Sequence, residues 1–466
     1  MKIFGVTVER KRRERRSGEC RSGECRSGAR GRGALIALLL VLSAGLQAQV
    51  KTLEEAESIV LSNALQIQIA EQGVEKARIG FREAVGTVLP TISAYGQATT
   101  NQELPSIIID FDGPGPQPAT AIPMGSKYSN TAGFSLSQPL FTGGAVLAGF
   151  RIARESVEMS RINEQMTRDN TIMTLRTLWY QLLLTRSLIE ATEWGLESAT
   201  ANFELAQKKF NAGTASQFEV LQAQVNMEQL KPTLIQLRNQ LRSVKTNLLA
   251  YINDPAVREI EPSGKLTPEE DPFVGLDLEG LVAKALRQRP ELQLLESQRS
   301  ILEQQRNIAY GQVLPMLSFS ADIRHQGQDD VKDDLNYLRS RSSSLNLSVP
   351  IFSGGRKVAA IQSARVALKE AELQYEQTLT YLRTELESNY YKVDESRQSI
   401  EANAALVEQA EEALRMAKLS YESGASTQLE IQNAQSAVLQ ATGAYLSSVF
   451  QYNLALNNLK KSLNQL

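Results

Sequence analysis

Two glutamates occupy matching places in this chain. Glu219 ends KFNAGTASQFE (209–219), and Glu430 ends SYESGASTQLE (420–430). In each segment a glycine, Gly213 or Gly424, closes a long helical pattern as a C-cap does. Thr214 or Ser216, and Ser426 or Thr427, can cap the helix that follows. A carboxylate in that helix's first turn is favoured by its dipole. Other chemistry is scarce. His325 is the single histidine and lies beside an expected loop; it has no Cys or His partner for a metal site, and no Ser–His–Asp arrangement is expected. Gly143-Gly144 and Gly354-Gly355 lack the Lys-Ser/Thr of a phosphate loop. Asp329, Asp330, Asp333 and Asp334 read as a solvated loop, and Trp179 and Trp194 as packing residues. No catalytic constellation, cofactor or metal site is expected.

The elements around these residues are written twice. LSQPLFTGG (136–144) recurs as LSVPIFSGG (347–355), and both this pair and the two glutamate segments are offset by 211 residues. GTVLPTISA (86–94) recurs as GQVLPMLSF (311–319), offset by 225. The difference falls in a longer loop of the first copy, where insertion is tolerated. The expected organisation is a first repeat over 49–254, a Pro-rich linker over 255–276 and a second repeat over 277–466.

Heptads dominate each repeat. Leu175, Leu182, Ile189, Leu196, Phe203 and Phe210 recur every seven residues beside a mostly small row that includes Thr185, Thr192, Ala199 and Ala206. Leu379, Leu386, Val393, Ile400, Val407, Leu414 and Tyr421 repeat the pattern. A sustained seven-residue period implies left-handed supercoiling. Long helices are expected over about 144–210 and 216–251, and again over 354–421 and 427–462, with Pro232 bending the second of them. Residues 52–88 read as one further helix, stopped by Pro90.

Period-two alternation marks four strands, at about 91–100, 128–140, 316–325 and 342–350. Leu317, Phe319, Ala321 and Ile323, for example, alternate with Ser318, Ser320, Asp322 and Arg324. Residues 101–127 and HQGQDDVKDDLNY (325–337) read as loops.

The first 48 residues stand apart. A basic stretch and the repeat RSGECRSGECRSGAR precede an apolar run from Ala34 to Leu46, a pattern expected of a secretory signal cleaved after Ala48. The part before Ala34 exceeds an ordinary n-region, so an upstream extension or a misassigned start is expected. This segment holds 11 of the 50 Lys and Arg but 4 of the 52 Asp and Glu, so the remainder is acidic and ill suited to nucleic acid. It also holds both cysteines, Cys20 and Cys25, so disulfides and an N-terminal lipid anchor are not expected downstream.

Four amphipathic strands cannot close a membrane barrel, because known barrels start at about eight, and open edges are not tolerated in lipid. Three copies give twelve strands, with room for a water-filled lumen. The repeated P-[LI]-F-x-G-G junction (Pro139, Phe141, Gly143, Gly144; Pro350, Phe352, Gly354, Gly355) and the repeated glycine tips resemble the TolC-type outer membrane efflux family over residues 52 to about 462. The resemblance implies a mainly α fold with membrane β. Each of two repeats has two strands and a long antiparallel helical hairpin, and a homotrimer forms a 12-stranded β-barrel continuous with a 12-helix α-barrel. It also implies an exit duct for efflux or type I secretion in a Gram-negative outer membrane, in contact with lipid. A periplasmic adaptor and an RND or ABC transporter of the inner membrane dock beneath it. The tips Asn211, Ala212, Gly213, Thr214 and Ser216, and Ser423, Gly424, Ala425 and Ser426, are then the docking residues. Glu219, Gln222, Tyr421, Glu430 and Asn433 are the gate. Asn433 stands where the family carries a second acid and Ser426 where it carries an arginine, so an incomplete ionic lock is expected. A periplasmic coiled-coil adaptor or structural protein is the alternative.

Overall fold

The computed structural model describes residues 48–109 and 120–465; the expected signal segment lies outside the described residues except for Ala48. Eight strands and eight helices follow one another in these regions. β1 (Ala48–Val50), α1 (Leu53–Asn63), α2 (Leu65–Gly86), β2 (Thr91–Thr100), β3 (Ser106–Ile109), β4 (Thr120–Pro123), β5 (Tyr128–Thr142), α3 (Ala145–Asn211) and α4 (Gln217–Ile252) form the first part. β6 (Val257–Ile260) lies between the two parts. α5 (Leu278–Leu286), α6 (Pro290–Gly311), β7 (Met316–Asp329), β8 (Asn336–Ser348), α7 (Arg356–Glu422) and α8 (Gln428–Ser462) form the second.

α3 and α7 each contain 67 residues, so each extends roughly 100 Å at 1.5 Å per residue. Helices of this length need lateral support. Within each hairpin α3 packs on α4 and α7 on α8, and α3 also packs on α8. The heptad rows supply these seams. Leu175, Leu182, Leu386, Val393 and Leu414 are buried, as are the small residues Thr185, Ala199 and Ala206. Gly195 allows α8 to come close to α3, since a Cβ there would lie 2.8 Å from Leu439 Cδ2. Trp179 is buried as expected, whereas Trp194 is exposed. α4 remains helical through Pro232.

The largest core lies where the middle of α3 meets α1, α4, α8 and the segment between the repeats, and includes Val60, Leu175, Trp179, Leu248, Ile260, Leu266 and Val449. Polar groups fasten that segment. Asn453 Nδ2 donates to Thr267 O at 2.9 Å, and Arg186 Nη1 to Pro262 O at 2.7 Å.

Several sequence expectations need correction. The single helix over 52–88 is two helices, broken where Ala64 takes an extended ψ of 124°. Neither Pro nor Gly causes the break; Ala64 is buried, and Asn253 Nδ2 donates to Asn63 O at 3.2 Å. The loop over 101–127 contains the β3–β4 ribbon. The linker over 255–276 contains β6, which pairs with β1. The strands at 316–325 and 342–350 become β7 and β8, which pair on through Gln326↔Leu338 and Gly327↔Tyr337, inside the expected loop. β5 likewise runs past 140 to Thr142, whereas β8 stops at Ser348 instead of reaching 350.

The main sheet is antiparallel in the order β2-β5-β7-β8, leaving β2 and β8 as open edges. Both hairpins use one register, because Thr91↔Ser137 in the first corresponds by repeat position to Met316↔Ser348 in the second.

Candidate functional site

The two tips are built alike. Each outgoing helix ends in a left-handed glycine, Gly213 (φ 77°) or Gly424 (φ 78°), which tolerates this conformation without a Cβ penalty. Thr214 N donates to Lys209 O at 2.9 Å and Gly213 N to Phe210 O at 2.9 Å; Ala425 N donates to Ser420 O at 2.8 Å and Gly424 N to Tyr421 O at 3.2 Å. Both are Schellman caps. Asn211, Ala212, Gly213, Thr214, Ser216, Ser423, Gly424 and Ala425 are exposed, and Ser426 is half-buried.

A cleft of about 560 Å³ lies between the tips, lined among others by Lys209, Phe218, Glu219, Gln222, Tyr421 and Gln428. Glu219 holds it together. Its carboxylate accepts from Ser216 N at 3.2 Å and from Ser216 Oγ at 3.1 Å, while Ser216 Oγ accepts from Glu219 N at 3.3 Å, a closed capping box. The other carboxylate oxygen accepts from Tyr421 Oη at 3.3 Å, joining α4 to α7. Burial pushes the Tyr421 phenol up, and the Glu219 charge and its hydrogen bond push it further.

Lys209 is the residue that sequence reasoning missed. Its Nζ sits 3.9 Å from the centre of the Tyr421 ring and donates to the Tyr421 carbonyl. α7 has no basic residue in its last turn, so this lysine of the first tip complements the dipole of the second. No spacing rule links positions 209 and 421; only the repeat, which places both near equivalent glycines, hints at it. Above the cleft, the buried Gln435 Oε1 accepts from Asn226 Nδ2 at 3.1 Å and Asn202 Nδ2 at 3.4 Å, and its Nε2 donates to Gly195 O at 2.7 Å. These polar residues lie in otherwise apolar seams and were also missed.

The remaining expected gate residues lie apart. Glu430 and Asn433 are exposed on α8 and do not line the cleft. Thr427 precedes α8 without a side-chain cap bond, although T-x-x-E matches S-x-x-E of the first tip.

At the other end the register sorts the sheet into two faces. Ile92, Leu136 and Ala321 align across strands, as do Phe134 with Ile323, Phe319 with Leu345, and Leu317 with Leu347. The opposite face carries Ser93, Ser135 and Asp322 in one row and Ser137, Ser320 and Ser344 in another. One face suits hydrocarbon and the other water. No helix among the described residues is long and apolar enough to cross a membrane.

The strand-to-helix junctions differ between the copies. Pro139 and Phe141 flank a register shift in β5, and the left-handed Gly143 (φ 63°) and Gly144 (φ 86°) lead into α3. Gly143 lies against Gly311, and a Cβ on it would come within 2.2 Å of Gly311 O. Gly354 (φ 61°) and Gly355 (φ 78°) repeat the turn, but nothing lies within 4 Å of either Cβ position; Pro350 and Phe352 fall outside any strand.

Comparison with known proteins follows the same architecture. Nodulation protein T of Rhizobium leguminosarum bv. trifolii is 24% identical over 257 residues, 55% of this chain and 54% of that protein. The pyoverdine export outer membrane protein OpmQ of Pseudomonas aeruginosa is 23% identical over 323 residues, 68% of this chain and 66% of its own length. The chain thus spans less than two thirds of either relative. The outer membrane protein VceC of Vibrio cholerae superposes with a TM-score of 0.72 at 19% identity, covering 88% of this chain and 95% of that one, which establishes a TolC-like channel fold. The sequence profile described as outer membrane efflux protein matches residues 56–254 and 281–465. The chain belongs to the outer membrane efflux protein family, whose members lie in Gram-negative outer membranes.

Proposed function

We propose that this protein is the outer membrane exit duct of a tripartite efflux or type I secretion system. Three identical chains close its sheets into a barrel and its helices into a tunnel. The observation that carries the reading is the sheet: one face apolar, the other rich in serine, both edges unpaired, and attached to helices roughly 100 Å long. Such a sheet satisfies its backbone in lipid only by pairing with further copies. Conduction is passive, since no catalytic group is needed to pass solutes through a wetted lumen. The names of relatives in pyoverdine export support the reading without assigning a cargo here.

The tips are the periplasmic entrance, where an adaptor protein and an RND or ABC pump of the inner membrane dock. Glu219 and Tyr421 hold neighbouring hairpins together there, Gln222 lines the cleft between them, and Glu430 and Asn433 face the pore. The family resemblance implies a lock short of an arginine at Ser426; Lys209 supplies a cation to Tyr421 from the other tip. Export requires a signal segment and no lipid anchor. Reconstitution of the purified protein in planar bilayers tests the reading: stepwise ionic currents are expected, and a monomer without current would overturn it.

A further inference from the structure

The apolar face of the main sheet turns basic at one end, and in one repeat only. Counted from the helix end, the pairs on this face of the β7–β8 hairpin are Leu317↔Leu347, Phe319↔Leu345 and Ala321↔Ser343, then Ile323↔Arg341 and His325↔Arg339. Residues opposite one another share a face, so both guanidiniums and the imidazole stand on the side of Phe319 and Ile323. All three are exposed. Arg324 points the other way, its Nε donating to Ser340 Oγ at 2.9 Å on the polar face.

By repeat position Thr100, Tyr128 and Asn130 stand where the second hairpin has His325, Arg339 and Arg341, and Thr100↔Tyr128 is the same pairing as His325↔Arg339. A hairpin of this register therefore does not need the cations. Neighbouring carboxylates do not explain them either. Asp322 lies on the polar face and accepts from Tyr95 Oη at 2.8 Å, Asp329 accepts from Val331 N at 2.9 Å, and Asp330 from Lys127 N at 2.9 Å. Height gives the cations a setting. Arg341 stands ten residues before Ile351, an apolar residue of the junction that is 95% exposed. Ten residues of strand rise about 33 Å, or about 25 Å upright at barrel tilt, the height of an apolar membrane band. A charge deep in that band is costly, whereas one at its rim is tolerated. Tyr337, next on this face of β8, is an amphipathic ring of the kind that gathers at such a rim.

We infer that Arg339, Arg341 and His325 form a site on the lipid-facing rim for the phosphate groups of an acidic lipid in the external leaflet. The inference rests on the duct reading, which turns this end of the sheet away from the periplasm. The occupant is a lipid because the cations end an apolar face. Acyl chains can lie against Phe319 and Leu345 while phosphates above them meet the guanidiniums in bidentate pairs.

Lipid retention tests it. The full chain, purified in a non-ionic detergent, is mixed with bis-phosphorylated lipid A, and the lipid that stays bound is measured by native mass spectrometry. The unaltered protein should retain it, and should retain the same lipid stripped of its phosphates about tenfold less. Arg339→Gln/Arg341→Gln should lower retention about tenfold or more, whereas Arg339→Lys/Arg341→Lys should keep part of it. Equal retention of the two lipids, or equal retention by the unaltered protein and the glutamine pair, overturns the site. Displacement of the lipid by inorganic phosphate would mark a free-anion site and overturn the lipid assignment.

Salt supplies a test that needs no variant. Retention by the unaltered protein should weaken between about 0.05 M and about 0.5 M salt, because exposed charges are screened over that range; retention indifferent to salt overturns the site. Planar-bilayer currents keep the two readings apart. A glutamine pair that conducts in steps and still retains the lipid fully removes the site and leaves the duct standing. Monomers without current overturn both.

Discussion

The two hairpin tips share a turn and differ in what holds them. Both close with a Schellman glycine and both place a glutamate at the third position of the next helix. In the first, Ser216 and Glu219 close a capping box and Glu219 also receives the Tyr421 hydroxyl. In the second, Thr427 makes no cap and Glu430 is exposed. The first tip therefore serves both hairpins, its Lys209 and Glu219 gripping Tyr421 from two sides. Duplicated sequence yields one fastened and one free copy of the same motif, and a free carboxylate is the kind that can face a lumen.

Glu219→Ala should break this contrast most. It removes the side-chain half of the capping box, which accepts from Ser216 N, and the link to the Tyr421 hydroxyl, each hydrogen bond contributing about 0.5–1.5 kcal/mol, while the backbone N–H at 219 keeps its bond to Ser216 Oγ. The melting temperature is expected to fall and the bilayer conductance to rise, whereas Glu430→Ala should leave melting unchanged and alter only cation selectivity. Equal loss in the two variants would erase the distinction.

Lys209→Met ranks next. It retains much of the stem and removes the cation over Tyr421, a contribution of about 0.5–1 kcal/mol, together with a C-terminal charge contribution of about 0.3–1 kcal/mol. Conductance should rise in the same sense as for Glu219→Ala.

Tyr421→Phe removes only the hydroxyl link, about 1 kcal/mol. It also isolates one titration. Because burial and then Glu219 raise the phenol above its ordinary value, the neutral tyrosine stabilises the tip fully below about pH 10, and this is lost as pH rises through the raised value. The tyrosinate absorbance missing from Tyr421→Phe should belong to a group that ionises after the exposed tyrosines.

Thr427→Asp is the smallest change. An aspartate at the N-cap should add about 0.5 kcal/mol if the second tip can close as the first does. No gain in melting temperature would mean that the backbone there, and not the residue, keeps the cap open.

Much of the fold is legible in the residue pattern alone. Seven-residue rows ending at Phe210 and Tyr421 mark the long helices because their seams are apolar at fixed spacing. Ile92, Phe134, Leu136, Phe319 and Leu345 mark the strands for a similar reason. The pattern fails where that signal vanishes. Around Gln326, Gly327 and Tyr337 neither face of the hairpin is consistently apolar, yet backbone pairing continues. The break at Ala64 coincides with a tertiary hydrogen bond from Asn253 to Asn63 O, which no local pattern announces. At the hairpin tips, the glycines and glutamates are readable from the repeat, but the partnership of Lys209 with Tyr421 joins residues 212 apart.

The matched 67-residue helices set the unit in which this molecule can change its reach. Deleting one residue from α3 would turn everything below it by about 100° and misalign its seam. Deleting seven from α3 and seven from α4, with the same cut in α7 and α8, would restore the alignment and shorten the arms by about 10 Å. The depth of the compartment that the arms can bridge is therefore graduated like a ruler, and variants of intermediate length should not assemble.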